Sequence, residues 1–329
     1  KLVLSGGISQ NNIFGSGNNV SVQFSTGKVN RTYSLSYTDP YFTVDGISQG
    51  FDIYLRNTDP TSLQVGYYKT SSVGGGLRWG FPIAEKEYLN IGVAVDATKT
   101  TISEQYSPPR YIQFVRDNGD KNLTVPITVG WVQDSRDSHI YPTHGMMLRA
   151  GGELSPPGTD LPYYRANIGF QYFYPLGKTL TLAVNGDVAI GKGLSGKALP
   201  FYKNFYAGGI GSVRGYETSS LGPTETYTNL NNEVVTDRVG GTRRINGTVE
   251  LLFGLPGFDR SLRMGLFTDI AQVYGRGDRG SVCNWCASAG ISLAWISPLG
   301  PLKFNLAQPL NRQSGDRIER FQFQMGTTF

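Results

Sequence analysis

The stretch 166-ANIGFQYFYPLGKTLTLAVNGDVAI-190 decides the fold. Ala166, Ile168, Phe170, Tyr172 and Tyr174 occupy every second position. After the turn 175-PLGK-178 the same period returns in Leu180, Leu182, Val184, Val188 and Ile190. Alternation of this kind marks a strand with one apolar and one polar face. Two such runs around a tight turn predict an antiparallel pair.

The pattern repeats in both directions from this pair. Toward the N-terminus it recurs in Leu89, Ile91, Val93 and Val95, in Phe51, Ile53 and Leu55, and in Tyr33, Leu35 and Tyr37. It continues through Val20, Val22 and Phe24 to Leu2, Leu4 and Ile8. Toward the C-terminus it recurs in Ala289, Ile291, Leu293 and Trp295. No segment carries a convincing helical period. Some connections are tight, as at 82–87, 175–178, 254–261 and 297–301. Others are long and polar, as at 57–69, 105–121, 153–163, 275–286 and 311–320, and the longest spans about 199–243. Short turns at one end and long loops at the other describe a transmembrane antiparallel meander β-barrel of the outer-membrane type, with its turns periplasmic. A soluble sandwich also alternates. It leaves the aromatic-rich apolar faces and the sorting of connection lengths unexplained.

Composition agrees with many strands and excludes other classes. Among 329 residues there are 43 glycines, 19 tyrosines and 17 phenylalanines, which suits tight turns and aromatic belts. The net charge of +5, from 30 basic and 25 acidic residues, is too mild and too scattered for a nucleic-acid partner. No run approaches the roughly 18 apolar residues of a membrane helix. No secretory signal is visible at Lys1–Leu4. In 321-FQFQMGTTF-329 the odd positions Phe321, Phe323, Met325 and Phe329 read as one face of a last strand. The terminal aromatic is either an interfacial end or an insertion signal, and the two readings are compatible.

Three segments together resemble the membrane barrel of the BamA family, the central subunit of the machinery that assembles outer-membrane barrels: 201-FYKNFYAGGIGSVRGYETSSLGP-223, 294-AWISPLGPLKFNLAQPL-310 and 321-FQFQMGTTF-329. Near the start, 36-SYTDPYFTVDG-46 is similar as well. VRGY alone is weak, but these motifs in this order are specific. The translocation assembly relative TamA, the mitochondrial Sam subunit and two-partner secretion translocators share parts of them.

The resemblance implies sixteen strands preceded by periplasmic POTRA domains. Residues 1–329 read as the barrel domain alone, with about fifteen strands. No POTRA domain is expected in this chain. Residues 2–9 read as the family's second strand, so the first strand is expected to be missing and Lys1 to lie at the outer face. The resemblance also makes 199–243 the sixth extracellular loop, folded into the lumen, with Val213, Arg214, Gly215 and Tyr216 at its centre. Alternation in 246–253 and 263–270 turns Glu250 and Asp269 inward, and the family pattern makes them the partners of Arg214. An arginine fork meets carboxylates with a geometry that lysine cannot copy. Without the resemblance, Arg214 reads as a solvated loop residue.

The function implied is folding and insertion of barrel proteins through a lateral seam between first and last strands. The seam strand would carry Phe321, Phe323, Met325, Gly326 and Phe329, with Gly326 where the strand kinks; a glycine merely tolerated in the wall is the plainer reading. A sparse or absent ladder is expected between residues 3–9 and 321–325. The implied partners are unfolded outer-membrane proteins from the periplasm, accessory lipoproteins, and outer-membrane lipid with lipopolysaccharide. The alternatives are a two-partner-secretion translocator and a TamA-like assembly factor; a passive porin stands outside that class. No catalytic constellation, cofactor or metal site is legible. Cys283 and Cys286, in 283-CNWC-286, read as a local disulfide of an exposed loop, with free thiols or a functional pair as the other options. His139 and His144 read as turn residues.

Overall fold

The structure is a computed structural model and describes residues 4–258, 260–275, 283 and 285–325. The strands are β1 (Leu4–Gln10), β2 (Asn19–Thr26), β3 (Asn30–Asp39), β4 (Ser48–Thr58), β5 (Lys69–Ala84), β6 (Glu87–Thr101), β7 (Lys121–Thr124) and β8 (Ile127–Asp134). They continue with β9 (Gly145–Ser155), β10 (Tyr163–Pro175), β11 (Leu180–Gly193), β12 (Gly215–Tyr216), β13 (Thr224–Thr228) and β14 (Val234–Arg238). The last are β15 (Arg243–Gly254), β16 (Leu262–Tyr274), β17 (Cys286–Ser297), β18 (Gly300–Pro309), β19 (Ile318–Glu319) and β20 (Phe321–Met325). One helix, α1, covers Pro109–Asn118.

Sixteen of the strands form a single antiparallel meander, from β1 to β6, then β7 and β8, β9 to β11, β15 to β18, and β20. β7 and β8 are two halves of one stave. Both pair with β6, β7 along Asp96–Lys99 and β8 along Glu87–Val93. Pro126 lies between them and has no N–H to give to the ladder. The sheet therefore has fifteen staves among the described residues. β12 pairs with β19 and β13 with β14, both outside the sheet.

The two faces of the wall are inverted relative to a soluble sheet. On β16 the residues Leu266 and Ile270 face outward and are exposed, whereas Phe267, Asp269 and Ala271 face inward and are buried. The same holds on β5, where Val73 and Leu77 are exposed. An apolar outer face that gains nothing from water belongs in lipid. Among the described residues no helix is long and apolar enough to cross a membrane.

Three features differ from the sequence-based expectation. The connection 105–121 carries a helix. Tyr111 and Phe114 of α1 are buried, with Val115 packed beside them, and these positions lie three and four apart on one helical face. Ten residues, under three helical turns, are too few for the period to stand out in a polar stretch. Second, connection lengths sort only in part: residues 27–29, at the long-loop end, form a turn of minimal length between β2 and β3. Third, the long loop is not inward throughout. β13 and β14 form a hairpin whose tip exposes Leu230 and Val234.

The sheet ends at β1 and β20, and among the described residues no strand pairing joins them. With fifteen staves these two edges run in the same direction. Gly326 and Phe329 lie outside the described residues.

Candidate functional site

The loop after β11 turns into the barrel on a short glycine-rich run. Gly208, Gly209 and Gly211 all have positive φ, and the Gly208 N–H donates to Ser212 Oγ at 3.0 Å. The next four residues are Val213, Arg214, Gly215 and Tyr216, all buried. Gly215 has φ of 95°, and a Cβ there would sit 3.1 Å from Ala307 Cβ on β18. Both the backbone conformation and the approach to the wall favour glycine.

Arg214 is held by the inner wall from three strands, β15, β16 and β18. Its Nε donates to Asp269 Oδ2 at 2.8 Å and its Nη2 to Asp269 Oδ1 at 2.9 Å. The backbone N–H of Arg214 donates to the same carboxylate at 3.0 Å. Nη1 donates to Asn305 Oδ1 at 3.1 Å and lies 3.7 Å from Glu250 Oε1. The guanidinium carbon sits 3.4 Å from the centre of the Phe267 ring. Arg214 is 5% exposed, Glu250 6% and Asp269 0%, so none of the three charges has water as its main partner. Two carboxylates face one guanidinium. Their remaining lone pairs are met by hydroxyls: Thr248 Oγ1 donates to Asp269 at 2.8 Å, and Ser292 Oγ donates to Glu250. A buried charge group is tolerable only with this degree of satisfaction.

The loop also engages the last stave. The Gly215 N–H donates to Gln322 Oε1 at 3.2 Å, and Gln322 Nε2 donates to the Tyr216 carbonyl at 2.9 Å. One side-chain amide of β20 thus pairs with the loop backbone as a strand would. Gly215 and Tyr216 form the two-residue ladder with Ile318 and Glu319 just above it. Tyr216 packs in a cluster with Ala207, Val213, Leu221, Ala271 and Val273. Cys283 and Cys286 are joined by a disulfide and belong to that cluster, each nearly fully buried. The expectation of an exposed pair is corrected: loop residues 207–221 cover the sulfurs.

Residues 12–329 match the Omp85 superfamily domain. The chain belongs to the Omp85 superfamily. It is 38% identical to the outer membrane protein assembly factor BamA of Neisseria meningitidis serogroup B, over 100% of this chain and 45% of that protein. It is 26% identical to BamA of Nitratidesulfovibrio vulgaris, over 99% of this chain and 40% of the relative. The chain thus spans about half the length of these relatives or less. Among solved structures it resembles BamA from Haemophilus ducreyi lacking POTRA domains 1–3, with a TM-score of 0.91 and 29% identity over 98% of this chain and 66% of that one. This Omp85 chain is an outer-membrane β-barrel.

In the Omp85 barrel described here, Val213 to Tyr216, Glu250 and Asp269 meet at one place. Phe321, Phe323 and Met325 stand apart from it, exposed on the outer face of β20. The clamp also contains residues that the sequence reading did not single out: Asn305, Thr248, Ser292, Phe267 and Gln322. Parity was the available signal. Asn305 and Gln322 each interrupt a run of outward apolar residues, Phe304 and Leu306 in one case and Phe321 and Phe323 in the other. His139 and His144 lie in the turn 135–144, near Asp134 and Asp137 respectively. Among the described residues no group of three His, Cys, Asp or Glu side chains is placed to hold a metal ion. The arrangement is a mechanical tie: it fixes a loop to β15, β16, β18 and β20.

Proposed function

We propose that this chain is the membrane barrel of an outer-membrane protein assembly factor, which folds and inserts other β-barrels at the seam between its first and last strands. The observation that carries the reading is the tie between the inward loop and β20. β20 pairs with β18 over Phe321–Met325 on one side only, among the described residues. Its unpaired edge offers N–H and C=O groups to an incoming strand, which is the geometry of β-augmentation. The loop braces that edge strand from inside through Gln322, so the strand keeps its shape without a lateral partner. The names of the relatives support the same reading. Unfolded outer-membrane proteins would be the clients, and accessory lipoproteins and outer-membrane lipid the surroundings in which they fold.

The test uses the complete protein in liposomes with a urea-unfolded outer-membrane barrel as client. Folding is read by the gel shift between heated and unheated samples. The wild-type protein should accelerate client folding, and Arg214→Ala should lose most of that acceleration while its own barrel still shows the gel shift. A client that folds equally fast with the variant and with wild type would refute the link between the tie and assembly. A steady, open single-channel conductance would favour a pore instead.

A further inference from the structure

We propose that the outward rim of β3 to β7 binds a lipid headgroup carrying two separated phosphates in the outer leaflet. The cross-strand register sets five residues in one row: Arg31 opposite Asn57, Asn57 opposite Ser71, Ser71 opposite Lys99, and Lys99 opposite Lys121. All five are exposed. The row directly below, toward the membrane, is Tyr33, Leu55, Val73, Ala97 and Leu123, in the same register. Four of these are exposed large apolar side chains. From Val73 down to Phe81, β5 offers an outward face about 27 Å long at ~3.4 Å per residue. At a tilt of about 40° that length rises about 21 Å, most of an apolar band about 25 Å tall. The polar row therefore sits at the upper boundary of the lipid.

Its charge is uncompensated. Like charges placed directly opposite on neighbouring strands repel, yet Lys99 faces Lys121. Among the described residues neither lysine nor Arg31 has an ion-pair partner. Lys69, one row above, is already engaged with Asp59 at 3.7 Å. Asp120 precedes Lys121, but it contributes its backbone carbonyl to Thr100 N–H at 2.7 Å, and its carboxylate reaches neither lysine. A fold does not need this juxtaposition; an external anion resolves it. The row has two poles, the lysine pair and Arg31, about 14 Å apart at three strand spacings. Asn57 and Ser71 lie between them as hydrogen-bonding groups. One phosphate cannot span that distance, whereas two phosphates on a sugar-sized spacer can. The acyl chains would then lie along the apolar row below, which a free anion would leave empty. Charge-assisted hydrogen bonds from arginine and lysine suit phosphate oxygens.

The experiment is native mass spectrometry of the complete protein in neutral detergent, titrated with diphosphoryl lipid A as the probe. Monophosphoryl lipid A, phosphatidylcholine and inorganic phosphate are the other arms. Wild type should retain the diphosphorylated probe about ten-fold more strongly than phosphatidylcholine. K99Q/K121Q should remove that preference, R31Q should reduce it to the level of the monophosphorylated lipid, and K99R/K121R should keep it. K178Q, at the opposite end of the barrel, should change nothing. The glutamine pair also relieves a repulsion, so its barrel should be no less heat-resistant than wild type in lipid-free detergent. Equal retention by K99Q/K121Q, an equal loss in K178Q or in K99R/K121R, or displacement of the lipid by millimolar inorganic phosphate would each overturn the proposal.

Discussion

At the scale of single residues, Arg214 carries the largest expected effect. Removing it leaves Asp269 and Glu250 buried beside each other without their cation. Breaking a well-buried pair costs roughly 3–5 kcal/mol, and a partly hydrated lumen brings the figure below that range. Arg214→Lys should restore little, because one ammonium cannot donate simultaneously to Asp269 and to Asn305 from the guanidinium's positions. The measure is proteolysis of loop 199–243 in the folded barrel: both variants should be cut faster than wild type, and a lysine variant as resistant as wild type would show that charge alone suffices. Gly215→Ala tests the backbone. A φ of 95° and a Cβ so close to Ala307 leave alanine strained, by about 1–3 kcal/mol. The expected result is the same loop release with Arg214 intact. These residues also show how the site was legible. Glu250 and Asp269 each put a charge into an apolar alternation, and a charge demands a partner. Asn305 and Gln322 hold the same inward parity, but a neutral amide raises no such demand, so parity marked them as inward and nothing marked them as partners of Arg214.

At the scale of elements, the helix α1 and the disulfide turn brace the inward loop from above. Tyr111 is fully buried; its ring stacks on Phe201 at 4.1 Å, and its hydroxyl donates to the Val239 carbonyl at 3.4 Å. Burial pushes its phenol well above the ordinary value, so it remains a donor throughout the physiological range. Arg110 pairs with Glu225 of the β13–β14 hairpin. Tyr111→Ala removes the ring at the centre of this cluster, a change that typically costs about 3–5 kcal/mol. Hydrogen exchange should then accelerate in 105–121 and 199–206 but not in β15 or β16; uniform acceleration would mean that the helix supports the whole barrel instead. The Cys283–Cys286 bridge closes a very short loop, and its entropy is worth about 2 kcal/mol. The double serine variant should loosen the cluster around Tyr216 and keep client folding near the wild-type rate. A loss of client folding at unchanged expression would make the bridge functional. The disulfide was legible in its own segment, but neither its burial nor the helix was. The face of α1 is too short to show a period, and the cysteines look exposed until residues 207–221 are laid over them.

At the scale of the whole molecule, the meander and its inside-out polarity were readable because period two recurs along the chain, with a register shift only between Pro82 and Ala84 among the described ladders. Where β5 was hard to see, the reason is local: the run Gly74–Gly76 blanks the alternation, and a side chain at Gly74 would collide with Tyr54 on β4. What no local pattern contains is the relation between the two ends of the sheet. Fifteen staves place β1 and β20 in the same direction, and an antiparallel ladder cannot form directly between them. Each edge keeps a row of backbone groups without a strand partner among the described residues. On β20 the inward positions Gln322 and Gln324 face the lumen, and Gln322 is committed to the loop backbone. Any strand entering at this edge must therefore pair with a stave held at fixed height, through Gln322, by the loop that Arg214 clamps to β15, β16 and β18. The seam should act only if it is free to part. Cysteines placed at Gln324 and, one at a time, along the stave that faces β20 in the complete protein should include a pair that crosslinks under oxidation. Client folding should stop when that crosslink is complete and return with reductant. Normal client folding with the seam fully locked would move the site of insertion elsewhere on the barrel and leave the unpaired edge without a role.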